Sequence, residues 1–149
     1  VVVYTGLITP PESGSYRFVG HADDVLFVAF KGDLVFEGSW SDVLQKEYSK
    51  MHTTQYPHFK TSHQNISAGK WVKMNAGEVY QIEILVGEVP GGFFSAWLMV
   101  EQKGKEYKKN SKGYPVLPLF QTADTEVPRY QVNDTGPEVL KDGLVFGSD

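Results

Sequence analysis

The chain contains no cysteine. That excludes a disulfide framework, thiol catalysis and cysteine-type zinc sites. It also lacks any apolar run near the roughly 20 residues of a membrane-spanning helix. Nor does charge of one sign dominate: Asp, Glu, Lys and Arg make up 21% of the residues, ordinary for a globular protein, and the net charge of −4 leaves no electrostatic footprint for nucleic acid. The lysines at 103, 105, 108, 109 and 112 are interrupted by Gly104, Glu106 and Gly113, as expected of an exposed turn. Catalytic signatures are missing too. No Gly-x-Ser-x-Gly elbow, phosphate-cradling glycine loop or His-Glu-x-x-His is present, so a non-catalytic protein is expected. Asp23 with Glu88 as a glycosidase carboxylate pair has only the presence of two acids behind it. No signal peptide is visible, and the sequence opens without Met on Val1-Val2-Val3-Tyr4, as a piece of a longer protein would.

What is present is β-type sequence. The chain has 149 residues, enough for one domain with its own core, and 13% of them are aromatic. Val1 to Ile8 reads as a strand, stopped by Thr9-Pro10-Pro11-Glu12-Ser13-Gly14. Ser15 to Ala22 alternates, with Tyr16, Phe18 and Gly20 on one side and Ser15, Arg17, Val19 and His21 on the other. Val25 to Phe30 is continuously apolar, as in a strand buried on both faces. Lys31-Gly32-Asp33 is a hairpin turn, and Leu34-Val35-Phe36 returns. Trp71 to Met74, Glu78 to Val86 and Phe93 to Glu101 read as further strands; in the second, Tyr80, Ile82, Ile84 and Val86 face inward. Residues 87–92 form a loop. Pro115 to Phe120 is apolar, but its prolines confine it to an edge or a packing arm. Residues 37–70 show no sustained period and read as a long irregular insertion, with a short helix over 41–48. The expected fold is therefore all-β, an antiparallel sandwich or barrel over residues 1–120, followed by a partly mobile C-terminal extension over 121–149.

The candidate site is Gly20-His21-Ala22-Asp23-Asp24-Val25, where two adjacent acids lie between two apolar strands. Asp is depleted in strands, and neighbouring like charges repel unless water or a cation compensates them. Paired hard oxygens suit Ca²⁺, which takes about 6–8 oxygen ligands, so carbonyls or water would complete such a site. The alternative is structural: one Asp accepts backbone hydrogen bonds at a strand junction while the other is solvated. Among aromatic residues, Trp40, Tyr48, Tyr56 and Phe59 in the insertion either stack on a sugar ring or anchor the insertion to the sandwich. His52, His58 and His63 match no metal-ligand spacing, and Asn65-Ile66-Ser67 and Asn133-Asp134-Thr135 match the glycosylation pattern.

Tyr4-Thr5-Gly6-Leu7-Ile8-Thr9-Pro10-Pro11-Glu12-Ser13-Gly14-Ser15-Tyr16-Arg17-Phe18 resembles the opening of a PA14 domain. The resemblance continues through Ala22-Asp23-Asp24, Gly32-Asp33-Leu34-Val35 and Ala76-Gly77-Glu78-Val79-Tyr80, and covers Tyr4 to about Glu101. Arg17-Phe18-Val19-Gly20 and residues 87–92 resemble bacterial, envelope-associated members. The resemblance implies a β-sandwich that works as a non-catalytic module of extracellular, cell-surface or periplasmic proteins. In the adhesin branch such domains bind carbohydrate through Ca²⁺ held by a paired-Asp motif with a cis peptide, completed by an Asn and carbonyls of a second loop. Asp23 and Asp24 match the pair, and residues 87–92 the second loop. That loop has no Asn; its one side-chain oxygen is Glu88. The implied metal ligands are Asp23, Asp24 and Glu88. The implied ligand-binding set is His21, Asp23, Asp24, Trp40 and Tyr56, with carbohydrate and neighbouring domains of a larger chain as partners. The rival expectation is a structural or protein-interaction module with no small ligand.

Overall fold

The computed structural model describes residues 1–39, 54–60, 65–92, 94–111, 113–123, 138–140 and 143–148, without the side chains of 54–60, 65 and 148. The described residues are all β, in two antiparallel sheets packed face to face. The first sheet holds β1 (Val2–Thr9), β3 (Val25–Phe30), β4 (Asp33–Glu37), β8 (Tyr80–Gly87) and β12 (Gly147–Ser148), in the order β12-β1-β8-β3-β4. The second holds β2 (Gly14–Asp23), β5 (Thr54–Lys60), β6 (Asn65–Ala68), β7 (Val72–Met74) and β9 (Ser95–Gln102). Here β9 lies along one side of β2, and β6 and β7 share the other.

Alternation decides what each strand buries. In β8, Tyr80, Ile82, Ile84 and Val86 face the core, opposite Phe30, Val28 and Leu26 of β3 in register. From the other sheet, Tyr16, Phe18, Ala22, Leu98 and Val100 close the same core. The β3–β4 hairpin turns at Lys31 and Gly32, with φ of 54° and 83°. Positive φ at both central residues matches the strand twist, which is why glycine occupies the second.

The opposite face of β2 is also covered. Val19 and Met99 pair across β2 and β9 and form a second, smaller core with Ile66, Ala68 and Leu117. Its lid is the proline-containing arm, where β10 (Leu117–Pro118) pairs in parallel with β11 (Val139–Leu140) and Leu119 bridges Met99. Beyond that core, Arg17 pairs with Glu101 at 2.7 Å across the sheet, its guanidinium 4.4 Å from the centre of the Trp71 ring. Where the arm meets the main core, a cavity of about 150 Å³ is lined by Tyr16, Val100, Gln102, Tyr107 and Leu144, among others.

Two sequence expectations change here. The stretch 37–70 is not wholly irregular: it contains β5 and β6, and β6 pairs with β2 through Val19–Ala68 and Gly20–Ser67. Its local pattern was too short to show a period, because β6 contributes only Ile66 and Ala68 to the buried side. The segment after 121 also returns to the sandwich, with Phe146 fully buried in the main core and β12 paired to the end of β1. The helix expected over 41–48 and the mobile stretch expected over 131–136 lie outside the described residues.

Glu37, the last residue of β4, is 4% exposed, and its Oε1 has no hydrogen-bond partner among the described residues. Burial raises its pKa above the ordinary carboxyl value. The folded protein therefore holds this proton at pH values where the unfolded chain has released it. The stability tied to the proton is present below the unfolded pKa and lost as pH rises through the folded one. Glu37→Gln keeps the shape and removes the charge. It is expected to raise the melting temperature by a few degrees at neutral pH, with the gain vanishing on acidification. Thermal melts across pH check this; a gain that persists unchanged in acid would contradict it.

Candidate functional site

The acid pair sits where the chain changes sheets. Asp23 is the last residue of β2, Val25 the first of β3, and Asp24 alone lies between them. A second crossover runs beside it. Asp23 pairs with Ser95 at the start of β9, and Val25 pairs with Gly87 at the end of β8. The segment from 88 to 94 must therefore pass between the sheets alongside Asp23 and Asp24. The registers of two ladders thus bring the 87–92 loop to the acid pair, although more than sixty residues separate them in sequence.

The two crossovers are joined directly. Asp24 is 8% exposed, and its Oδ2 accepts a hydrogen bond from the backbone N–H of Val89 at 2.7 Å. An ionised acceptor makes such a bond one of the stronger kinds available to a side chain. This fulfils the expectation that one Asp accepts a backbone hydrogen bond at the junction. Asp23 is half-buried. The peptide between the two acids is cis. Glu88, the carboxylate of the second loop, is exposed. Among the described residues no group of three or more His, Asp or Glu side chains is gathered that could hold a metal ion.

His21 is 4% exposed and stacks on Trp97, its cross-strand partner, with ring centres 6.2 Å apart and planes 19° from parallel. Burial pulls its pKa down to about 4, so the ring is neutral at ordinary pH. So placed, it offers little surface to a ligand. Trp40 lies outside the described residues, and Tyr56 lies on β5, where only the backbone is described.

Sequence reading missed two groups. Phe94, 53% exposed, immediately precedes the Ser95–Asp23 pair, and Val89, also exposed, follows Glu88. Together they give the acid-pair end an apolar rim. The signal available was a pair of phenylalanines directly after Gly91-Gly92, which looked like the start of a strand. The second group is Gly38–Ser39, which holds the corner from behind. Ala22 N–H donates to the Gly38 carbonyl at 2.8 Å, and Gly38 N–H donates to the Leu26 carbonyl at 2.9 Å. The Ser39 hydroxyl accepts from Leu26 N–H at 3.0 Å, and Ser39 forms a parallel bridge with Ala22. No local pattern marks these residues, since their partners lie 12 to 17 positions away.

Chemically, the arrangement offers two adjacent carboxylates at one end of the sandwich, one buried and one half-buried, beside a loop rich in backbone groups and an exposed aromatic ring. Comparison of the chain with protein-family models, curated proteins and solved structures found no match.

Proposed function

We propose that this domain is a PA14-like, non-catalytic ligand-binding or adhesion module of a larger exported protein, with carbohydrate as its leading ligand class and calcium assisting. The observation that carries the reading is the meeting of the acid pair with the 87–92 loop, the loop that the resemblance implies for the second half of a site; the Val89 N–H bond to Asp24 marks that meeting, and the structural alternative expects such a bond as well.

The donor chemistry suits a hard cation, with two carboxylates adjacent and no sulfur or accessible imidazole. Asp23 and Asp24 would hold the ion, with Glu88 available at the loop. Because few side-chain oxygens are present, carbonyls of residues 87–92 and hydroxyls of the ligand must complete the shell. When bound, calcium would supply a positive centre that orients sugar hydroxyls. Val89 and Phe94 would cover the apolar face of a sugar ring and exclude water from the polar contacts.

Calorimetric titration of calcium into the chelator-stripped protein, repeated on Asp24→Ala, tests the reading. Saturable binding by the parent protein that the variant loses is the expected result. Absence of binding at millimolar calcium would defeat the calcium-assisted mechanism. It would favour a second reading, a protein-interaction module, which has its own support. Among the described residues, the outer edge of β1 is paired by β12 only at Ile8 and Thr9, and Val1, Val2, Val3, Tyr4 and Leu7 are exposed. An uncharged open strand edge of this kind is a template for pairing with another chain.

A further inference from the structure

We infer that Ser39, with Gly38, is a positioning element for the acid pair: it fixes the corner at which the Asp24 carboxylate meets the 87–92 loop. The inference deepens the proposed site and rests on that reading for its functional meaning, but not for its geometry.

The acid pair is the middle of a five-residue corner, Ala22 to Leu26, and both ends of that corner are fastened to the same two residues. Gly38 accepts from Ala22 N–H and donates to the Leu26 carbonyl. Ser39 Oγ accepts from Leu26 N–H and returns a longer bond of 3.4 Å to the Leu26 carbonyl. Ala22 belongs to one sheet and Leu26 to the other, so the Gly38–Ser39 segment fixes the distance between the two ends of the turn. Ser39 is buried, and so is its partner Leu26; losing the hydroxyl leaves a buried N–H unsatisfied. A side chain at position 38 would run into the Phe36 ring and approach the Gly20 carbonyl, which is why the closest part of the clamp is glycine. Asp24 must remain in place to accept from Val89 N–H, and its backbone is held on both sides by this clamp.

A serine of matched chemistry stands at the far end of β2. Ser13 Oγ accepts from Ala76 N–H at 2.8 Å, equally a backbone-to-hydroxyl bond though an exposed one, at the opposite end of β2 from the acid pair. Ser13→Ala therefore serves as the control for Ser39→Ala. Ser39→Cys fills the same space with a poor acceptor and covers the case in which the alanine variant does not fold. Ser39→Thr restores the hydroxyl.

The readout is amide hydrogen exchange at Val89, whose protection reports the bond to Asp24. Ser39→Ala, or Ser39→Cys in its place, is expected to speed Val89 exchange about tenfold while the β3–β8 ladder stays protected, since one buried hydrogen bond is at stake. Ser13→Ala should leave Val89 unchanged, and Ser39→Thr should restore its protection. Unchanged Val89 exchange without the Ser39 hydroxyl, or equal acceleration by Ser13→Ala, would overturn the inference. Calcium titration of the same variants separates the two claims. If the parent protein binds calcium, the Ser39 variants should bind it about tenfold more weakly. If the parent does not bind it, the calcium reading falls while the exchange experiment still decides the role of Ser39.

Discussion

Phe146→Ala is expected to destabilise the domain by about 4 kcal/mol, the middle of the range for deleting a buried aromatic side chain. Phe146 is fully buried although it lies three residues from the C-terminal end of the sequence. Its ring meets Tyr16 edge-on at 5.3 Å and lies 5.3 Å from Phe120, which in turn meets Phe18. Four aromatic rings thus share one cluster, and removing the last leaves a void beside Tyr16 and Phe120. Surrounding residues cannot collapse into it readily, because Tyr16 is fixed by its hydroxyl bond to the Glu12 carbonyl at 2.7 Å. Urea unfolding followed by tryptophan fluorescence measures the loss. A change below about 1 kcal/mol would mean that the segment after 121 is a dispensable extension.

Gly20→Ala should be at least as damaging, with a loss of about 4 kcal/mol or a failure to fold. A methyl group at Gly20 would sit inside contact distance of the Trp97 carbonyl oxygen on β9, a backbone atom that cannot swing aside. Gly20 pairs with Leu98 on one side and Ser67 on the other, so both neighbours of β2 would be displaced together. Because Gly20 lies three residues before Asp23, the corner would shift with them. The prediction is checked by yield, circular dichroism and melting temperature; a variant that melts within a degree or two of the parent would contradict the close approach.

These two residues mark the boundary of what the sequence discloses. β8 was legible because four apolar residues alternate with polar ones, and β3 because its apolar run is unbroken. The hairpin between β3 and β4 announced itself through Lys31-Gly32, and the acid pair through its placement between two apolar strands. Phe146 carried no such pattern: one phenylalanine among polar residues is silent until the opposing rings are known. Gly20 looked like an ordinary member of the alternation, since the atom that forbids a side chain lies across the sheet at Trp97. β5 and β6 were hidden for a related reason. Asn65-Ile66-Ser67-Ala68 is too short to display a period, and its burial depends on Val19, Met99 and Leu117. In the site, Asp23 and Asp24 and the 87–92 loop were legible, whereas Ser39 was not, because its work is done entirely through partners distant in the chain.

The two sheet crossovers that bound the acid pair differ in how freely they can change. The corner from Asp23 to Val25 has a single linking residue and is clamped from behind, so it tolerates neither insertion nor deletion. The connection from Gly87 to Ser95 joins the ends of two long ladders, and its length is not fixed by either. Variation confined to that loop would alter what sits over the carboxylates while leaving every core contact in place. The fold thus behaves as a rigid frame with one interchangeable panel, a division of labour that lets the surface over the acid pair change without re-solving the problem of folding.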